Sequence, residues 1–173
     1  AGDMYLADFY NNSIRKINSA GFITPMAGTG GSVYNGDGIA ATDAALSSPS
    51  DVVVDAVGNM YIADVTNLRI RKVNSVGIIS TIAGNGLDAS TGDGGPATAA
   101  QITYDAHRLA LDKHGNLFFT DTACVRMINT SGIISTIAGT KIPGYTGDGG
   151  PATAAQFFHP YGIATESLDN IYV

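Results

Sequence analysis

The chain holds 173 residues, 45% of them hydrophobic and 14% charged, with 22 glycines, no tryptophan and a net charge of −6. That length and apolar content mean one domain with a real core and exclude a disordered chain, while the lack of any stretch near ~18 uninterrupted apolar residues excludes a helical membrane span. A pI near 4.7 leaves no clustered Lys and Arg for nucleic acid or an anionic membrane surface, and a single cysteine, Cys124, excludes an internal disulfide framework.

Taken in chain order, GDMYLAD (2–8) is strand-like, FITPMAG (22–28) is a second landmark and NGDGIAATDAA (35–45) a third. DVVVD (51–55) is a short apolar run and VGN after it a turn signal. MYIAD (60–64) reads as a β-branched and aromatic strand, and RIRKV (69–73) alternates like a half-exposed one. NSVG (74–77) turns the chain into IISTIA (78–83), and TGDGGPATAAQ (91–101) follows. The landmarks then recur in the same order: GNLFFTD at 115–121, IISTIAG at 133–139, TGDGGPATAAQ at 146–156 and DNIYV at 169–173. The strand copies beginning at 2, 58, 115 and 169 lie 56, 57 and 54 residues apart. Four short strands per unit at this period is the pattern of a β-propeller blade, whereas a parallel β-helix needs a much shorter repeat. The fold class expected is all-β, with four-stranded antiparallel blades and about three blades' worth of chain. The units are approximately 2–50, 51–105, 106–160 and a partial 161–173.

The long connection between units carries glycines for tight turning and then Pro96 or Pro151 at the expected first position of one helical turn, followed by Ala-Thr-Ala-Ala-Gln. The first copy has Ala40 at that place, so its turn is expected to be looser.

The run PSDVVVDAVGNMYIADVTNLRIRKV (49–73) resembles the NHL repeat: Pro, a small residue, an apolar strand, Asp, Gly-Asn, a Tyr-bearing strand, Ala-Asp, Asn and Arg-Ile-Arg-Lys-Val. HPYGIATESLDNIYV (159–173) matches its first half. HRLALDKHGNLFFTDTACVRMI (107–128) matches without the leading proline and with a shorter loop before Arg126. The resemblance covers essentially the whole chain. It implies a β-propeller, often six-bladed, that acts as an interaction platform; a minority of related propellers are enzymes with a metal in the central channel. Three blades' worth cannot close a ring, which needs at least about four, and open blade faces favour association. Either two copies pair or further blades continue the chain; the opening AGDMYLAD, already inside a strand pattern, favours the second.

Asp8, Asp64 and Asp121 end the second strand of each unit, and Arg15, Arg71 and Arg126 follow in the third. A carboxylate and guanidinium recurring in every unit read as a structural pair, since an active site is singular and a structural device repeats. Asp37, Asp93 and Asp148 in the Gly-Asp-Gly turns are weak calcium candidates, one carboxylate per loop, and otherwise bond amides of their own turn or cap the next one; no other cofactor is expected. The histidines do not repeat. His107 begins an inner strand, His114 sits in a hairpin turn and His159 precedes Pro160. Ser50, His107 and Tyr161 are equivalent, as are Asp51, Arg108 and Gly162. Inner-strand starts line a propeller's channel mouth, so Ser50, Asp51, His107, Arg108 and Tyr161 form the candidate ligand site. They lack the matched ring of ligands a metal enzyme needs. Cys124 reads as a small core filler. Asn11 and Asn129 lie in acceptor sequons for N-glycosylation.

The function expected is a non-enzymatic scaffold binding protein partners or further blades, from the same chain or a second copy, as a structural subunit of a larger extracellular assembly. Few lysines and many Ser, Thr, Asn and Gly suit a secreted location. The alternative is a hydrolase or lyase with a ligand or metal at the mouth.

Overall fold

Successive stretches of the chain fold into successive antiparallel sheets, in a computed structural model that describes residues 2–173. The first sheet holds β1 (Met4–Asp8), β2 (Ser13–Ile17) and β3 (Ile23–Ala27). The second runs β4 (Pro49–Val54), β5 (Met60–Asp64), β6 (Arg69–Val73), β7 (Ile79–Ala83), and the third β8 (Leu109–Leu111), β9 (Leu117–Asp121), β10 (Cys124–Ile128), β11 (Ile134–Ala138). A final pair, β12 (Ala164–Thr165) and β13 (Ile171–Tyr172), holds the start of a fourth. The inner strands β4, β8 and β12 are successive neighbours, which arranges the sheets as blades.

Turn chemistry explains why the strands stop where they do. After the inner strand, the Asp55 carboxylate accepts from the Val57 and Asn59 amides, and Gly58 supplies the positive φ. Asp112 does the same for His114 and Asn116. At the next hairpin but one, Asn18, Asn74 and Asn129 each accept two amides of their own turn with the side-chain carbonyl. Asn129 is thus a repeated turn residue, and Asn11 lies exposed with its amide donating to Asp8.

No sheet is a core by itself. Ile14 and Ala27 of the first blade pack with Met60, Ile62, Val73 and Ile79 of the second. Ile70 and Ala83 of the second pack with Leu109, Phe119 and Ile134 of the third. At about 1.5–3 kcal/mol for each fully buried Ile, Leu or Phe, blade-on-blade burial is the chief stabilising term.

The connections depart from expectation in two ways. A single 3-10 turn forms in each, at Ala41–Asp43, Ala97–Ala99 and Ala152–Ala154, but Pro96 and Pro151 precede it in extended geometry and do not open it. Ala40 takes the same backbone shape (φ −59°, ψ 136°) as Pro96 (φ −59°, ψ 129°), so the first turn is no looser. The reason is tertiary. The connection lies along the outer strand of the following blade as a short extra strand, Ala40 against Ile78 and Pro96 against Ile133. Gly38 donates to the Ile79 carbonyl, Ile79 to the Ile39 carbonyl and Ala41 to the Gly77 carbonyl. Gly94, Ile134 and Ala97 repeat the pattern one blade on.

Candidate functional site

Two constellations emerge from this frame, one repeated and one singular. The repeated one joins blades. Asp64 on β5 and Arg71 on β6, two register positions apart, lie 3.4 Å from each other with both side chains fully buried, and Asp121 and Arg126 lie 3.3 Å apart in the same state. Asp64 also accepts from the Ser47 amide and the Asn67 side chain, and Asp121 from Ser90 and Thr103. Burial pushes the Asp64 carboxyl upward from its ordinary range, against the pull of the Ser47 amide, Asn67 and Arg71. Asp8 and Arg15 are 3.4 Å apart but more open, the arginine side chain 40% exposed.

The Gly-Asp-Gly aspartates correct the expectation that they serve their own turn. Asp37 bonds Arg71 of the following blade (2.8 Å) and accepts from Thr81 (3.1 Å). Asp93 bonds Arg126 (2.9 Å), Thr136 (2.7 Å) and Lys141 (2.8 Å). Asp37 and Asp93 therefore each latch onto the arginine of the next blade, the guanidinium bridging a buried carboxylate and a half-exposed one. Among the described residues no three His, Cys, Asp or Glu side chains gather closely enough to hold a metal ion. Asp148 makes no ion pair among the described residues.

The Asp93 latch has a pH signature. Burial raises its carboxyl, but Lys141, Thr136 and Arg126 outweigh that and hold it below the ordinary carboxylate value. A carboxyl depressed in the folded state stabilises the fold above its unfolded pKa near 3.9 and loses that contribution as pH falls through the folded value. Asp93→Asn should therefore lower stability at neutral pH and shallow the acid limb below about pH 4. Thermal melts from pH 3 to 7 (order-of-magnitude window set by the carboxylate range) check this, and parallel wild-type and variant curves would contradict it.

The singular constellation lies at the starts of the inner strands. His107 and Arg108 lie just before β8, a strand shorter than expected because a tight turn intervenes: Ala106 donates to the Thr103 carbonyl and His107 to that of Asp105. Ser50 Oγ donates to the His107 carbonyl at 2.8 Å, and Arg108 Nη1 to the Ser50 carbonyl at 2.6 Å. Asp51 accepts from the Leu109 amide across the blade boundary at 2.8 Å. The Arg108 guanidinium lies 4.8 Å from the Tyr161 ring centroid, and the His107 ring 5.4 Å from it. Asp105 stands 3.6 Å from His107 and 3.4 Å from His159. The structure thus brings Ser50, Asp51, His107, Arg108 and Tyr161 together. It adds Phe9 and Tyr10, from the β1–β2 turn, around a hollow of about 370 Å³. Sequence reading missed those two because nothing marks a hairpin tip as facing the axis. His114 lies elsewhere, 3.4 Å from Asp169. Cys124 is fully buried, its thiol donating to the Asp121 carbonyl and pushed up in pKa by burial and then by Asp121, so it is a packing residue without a reactive thiolate.

The model of the teneurin NHL domain matches residues 29–91 and 85–143, most of the chain. The chain belongs to the teneurin NHL domain family. Mouse teneurin-4 is 28% identical over 153 residues, covering 81% of this chain. Drosophila teneurin-m is 29% identical over 154 residues, or 83%. The chain spans only 5% and 6% of the lengths of these two teneurins. Among solved structures, a Bacteroides thetaiotaomicron protein of unknown function superposes with a TM-score of 0.70 at 20% identity, over 94% of this chain and 39% of that one. Virginiamycin B lyase from Staphylococcus aureus gives 0.54 at 15% identity, over 98% and 44%. These likenesses establish the propeller fold for this teneurin-type NHL segment. Among the described residues no helix is long and apolar enough to cross a membrane.

Proposed function

We propose that this NHL segment is a non-enzymatic interaction module whose channel mouth docks a protein partner, in an extracellular assembly where Asn11 and Asn129 are available to glycosylation. The observation that carries the reading is the composition of the mouth. Tyr10 (92% exposed), Tyr161 (59%) and Phe9 (38%) gather with Arg108 around one hollow, and aromatics with arginine are the residue types that dominate interface energetics. Asp37, Asp64, Asp93 and Asp121 with Arg71 and Arg126 are, by contrast, committed to holding blades together. Ser50 and Asp51 are engaged in bonds that position the inner strands, a supporting role with no reacting group to activate.

The test is binding of the chain to a panel of purified extracellular domains by interferometry, with plasma mass spectrometry of its metal content. Saturable binding should weaken about tenfold or more in Tyr10→Ala and Tyr161→Ala, in line with hot-spot losses of about 2 kcal/mol. Both positions are exposed, so the fold should persist. A stoichiometric metal that His107→Ala loses would overturn the reading in favour of a mouth hydrolase or lyase.

A further inference from the structure

Between the second and third blades the sheets part into an open cleft of about 420 Å³. Both of its walls belong to four-stranded sheets, β4–β7 and β8–β11, and Pro96 and Thr98 of the connection between them line one side. The cleft reaches Gly115 in the β8–β9 turn, whereas the mouth hollow lies at the starts of the inner strands; the two share no residue.

Lys72, half-buried, is the one charged side chain on the cleft walls. Its Nζ lies 5.2 Å from the centroid of the Tyr61 ring and reaches no carboxylate among the described residues. Every other lysine of the chain has an aspartate: Lys16 pairs with Asp3 at 2.6 Å, Lys113 with Asp169 at 3.0 Å and Lys141 with Asp93 at 2.8 Å. The repeat makes the contrast specific. Tyr5 and Lys16 are register partners in the first blade, as Tyr61 and Lys72 are in the second. Asn59 holds the repeat position of Asp3, and its amide is turned away to Asp55 at 2.7 Å. Asp55 is itself taken up by the Val57 amide, Asn59 and the Tyr61 hydroxyl. In the third blade Phe118 and Met127 replace the pair. A structural device recurs with the repeat; this uncompensated cation in a cleft does not.

The remaining wall says what would lie against it. Thr98, Thr130 and Ser131 present exposed side chains whose hydroxyls have no protein partner among the described residues, and Ile82 and Pro96 add apolar surface. A partly desolvated ammonium gains most from an anion that accepts a charge-assisted hydrogen bond. One ammonium suits one carboxylate, since phosphate and sulfate are held by a guanidinium fork or by several backbone N–H groups, and neither is offered here. The hydroxyls call for a hydroxylated body, and the volume falls in the range of about 300–1,000 Å³ typical of small-ligand sites. We infer that this cleft binds an acidic sugar. Its carboxylate meets Lys72, its hydroxyls meet Thr98, Thr130 and Ser131, and the C–H face of its ring rests on Ile82 and Pro96.

Titration of the isotope-labelled chain with D-glucuronate, followed through NMR amide shifts, tests this. Saturable shifts should centre on Lys72, Thr98 and residues 130–132. D-Glucose, which lacks the carboxylate, should bind about tenfold more weakly or worse, the loss expected when a bond to a charged group is removed. Lys72→Met should weaken glucuronate by a similar factor with the sheets intact by circular dichroism, because Met127 already occupies this position in the third blade. Thr98→Val, at an exposed site, should weaken it about threefold, as loss of a neutral hydrogen bond does. Absence of saturable shifts, shifts centred elsewhere, or unchanged affinity in Lys72→Met overturns the inference. Equal binding of cyclohexanecarboxylate or of sulfate also overturns it, because the cleft would then select an acid or an anion and not a sugar. Lys72 and Thr98 do not line the mouth hollow, so neither result bears on docking there.

Discussion

Arg126→Met should cost about 3–5 kcal/mol, the penalty for stranding a buried charge by removing its partner. Arg126 is fully buried, and it reaches Asp121, Asp93 and the carbonyls of Gln101 and Thr91. Methionine keeps most of the side-chain volume, so the loss reports the charge and its bonds and not a cavity. Asp121, also fully buried, is left with only the neutral donors Ser90 and Thr103. The loop 91–96 loses its anchor to the third blade at the same time. Against a total stability of about 5–15 kcal/mol this is a large fraction, and in a domain of this size it lowers Tm by about 10 °C. The comparison is Lys113→Met. Lys113 pairs with Asp169 at 3.0 Å, with both side chains about half exposed, and such surface pairs are worth about 0–1 kcal/mol. Denaturant melts of both variants decide the matter; equal losses would mean that the recurrent arginines do not bind the blades together.

Gly84→Ala is the second large effect. Gly84 has φ +86°, and a Cβ there would lie 2.2 Å from the Leu68 carbonyl oxygen and 3.0 Å from Arg69 Cα. Both contacts are backbone atoms of the adjoining hairpin, which cannot rotate aside as a side chain would. The same clash recurs at Gly28 against Asn12 and at Gly139 against Ala123, so the glycine closing each Ala-Gly landmark lets the outer strand cross the preceding hairpin. Positive φ contributes about 1–2 kcal/mol and the overlap about 1–3 more. Gly77→Ala isolates the first part, since Gly77 has φ +84° with nothing within 4 Å of its Cβ position. The expected order in chemical denaturation is Gly84→Ala well below Gly77→Ala, itself modestly below wild type; equal costs would show that the hairpin yields.

The fold was legible because its signals are local and repeated. Asp55 with Gly58 and Asn74 with Gly77 make turns from side chains and glycines a few residues apart, and three copies leave little doubt about strand order. The mouth residues Ser50, His107 and Tyr161 were legible as equivalents, since counting along a repeat places them at matching heights. Phe9 and Tyr10 were not, because a hairpin tip gains its neighbours only when blades assemble.

The aspartates mark the boundary between what sequence determined and what tertiary structure decided. That Asp37, Asp93 and Asp148 sit in Gly-Asp-Gly turns follows from residue identity alone, as do the repeat period and the antiparallel order of the strands. That Asp37 and Asp93 grip the next blade could come only from the fold, because the partner arginine lies more than thirty residues away in the chain. Local sequence sets φ and ψ and the alternation of apolar side chains. Which charge meets which depends on how blades stack, a choice made by burial between sheets that are distant in sequence.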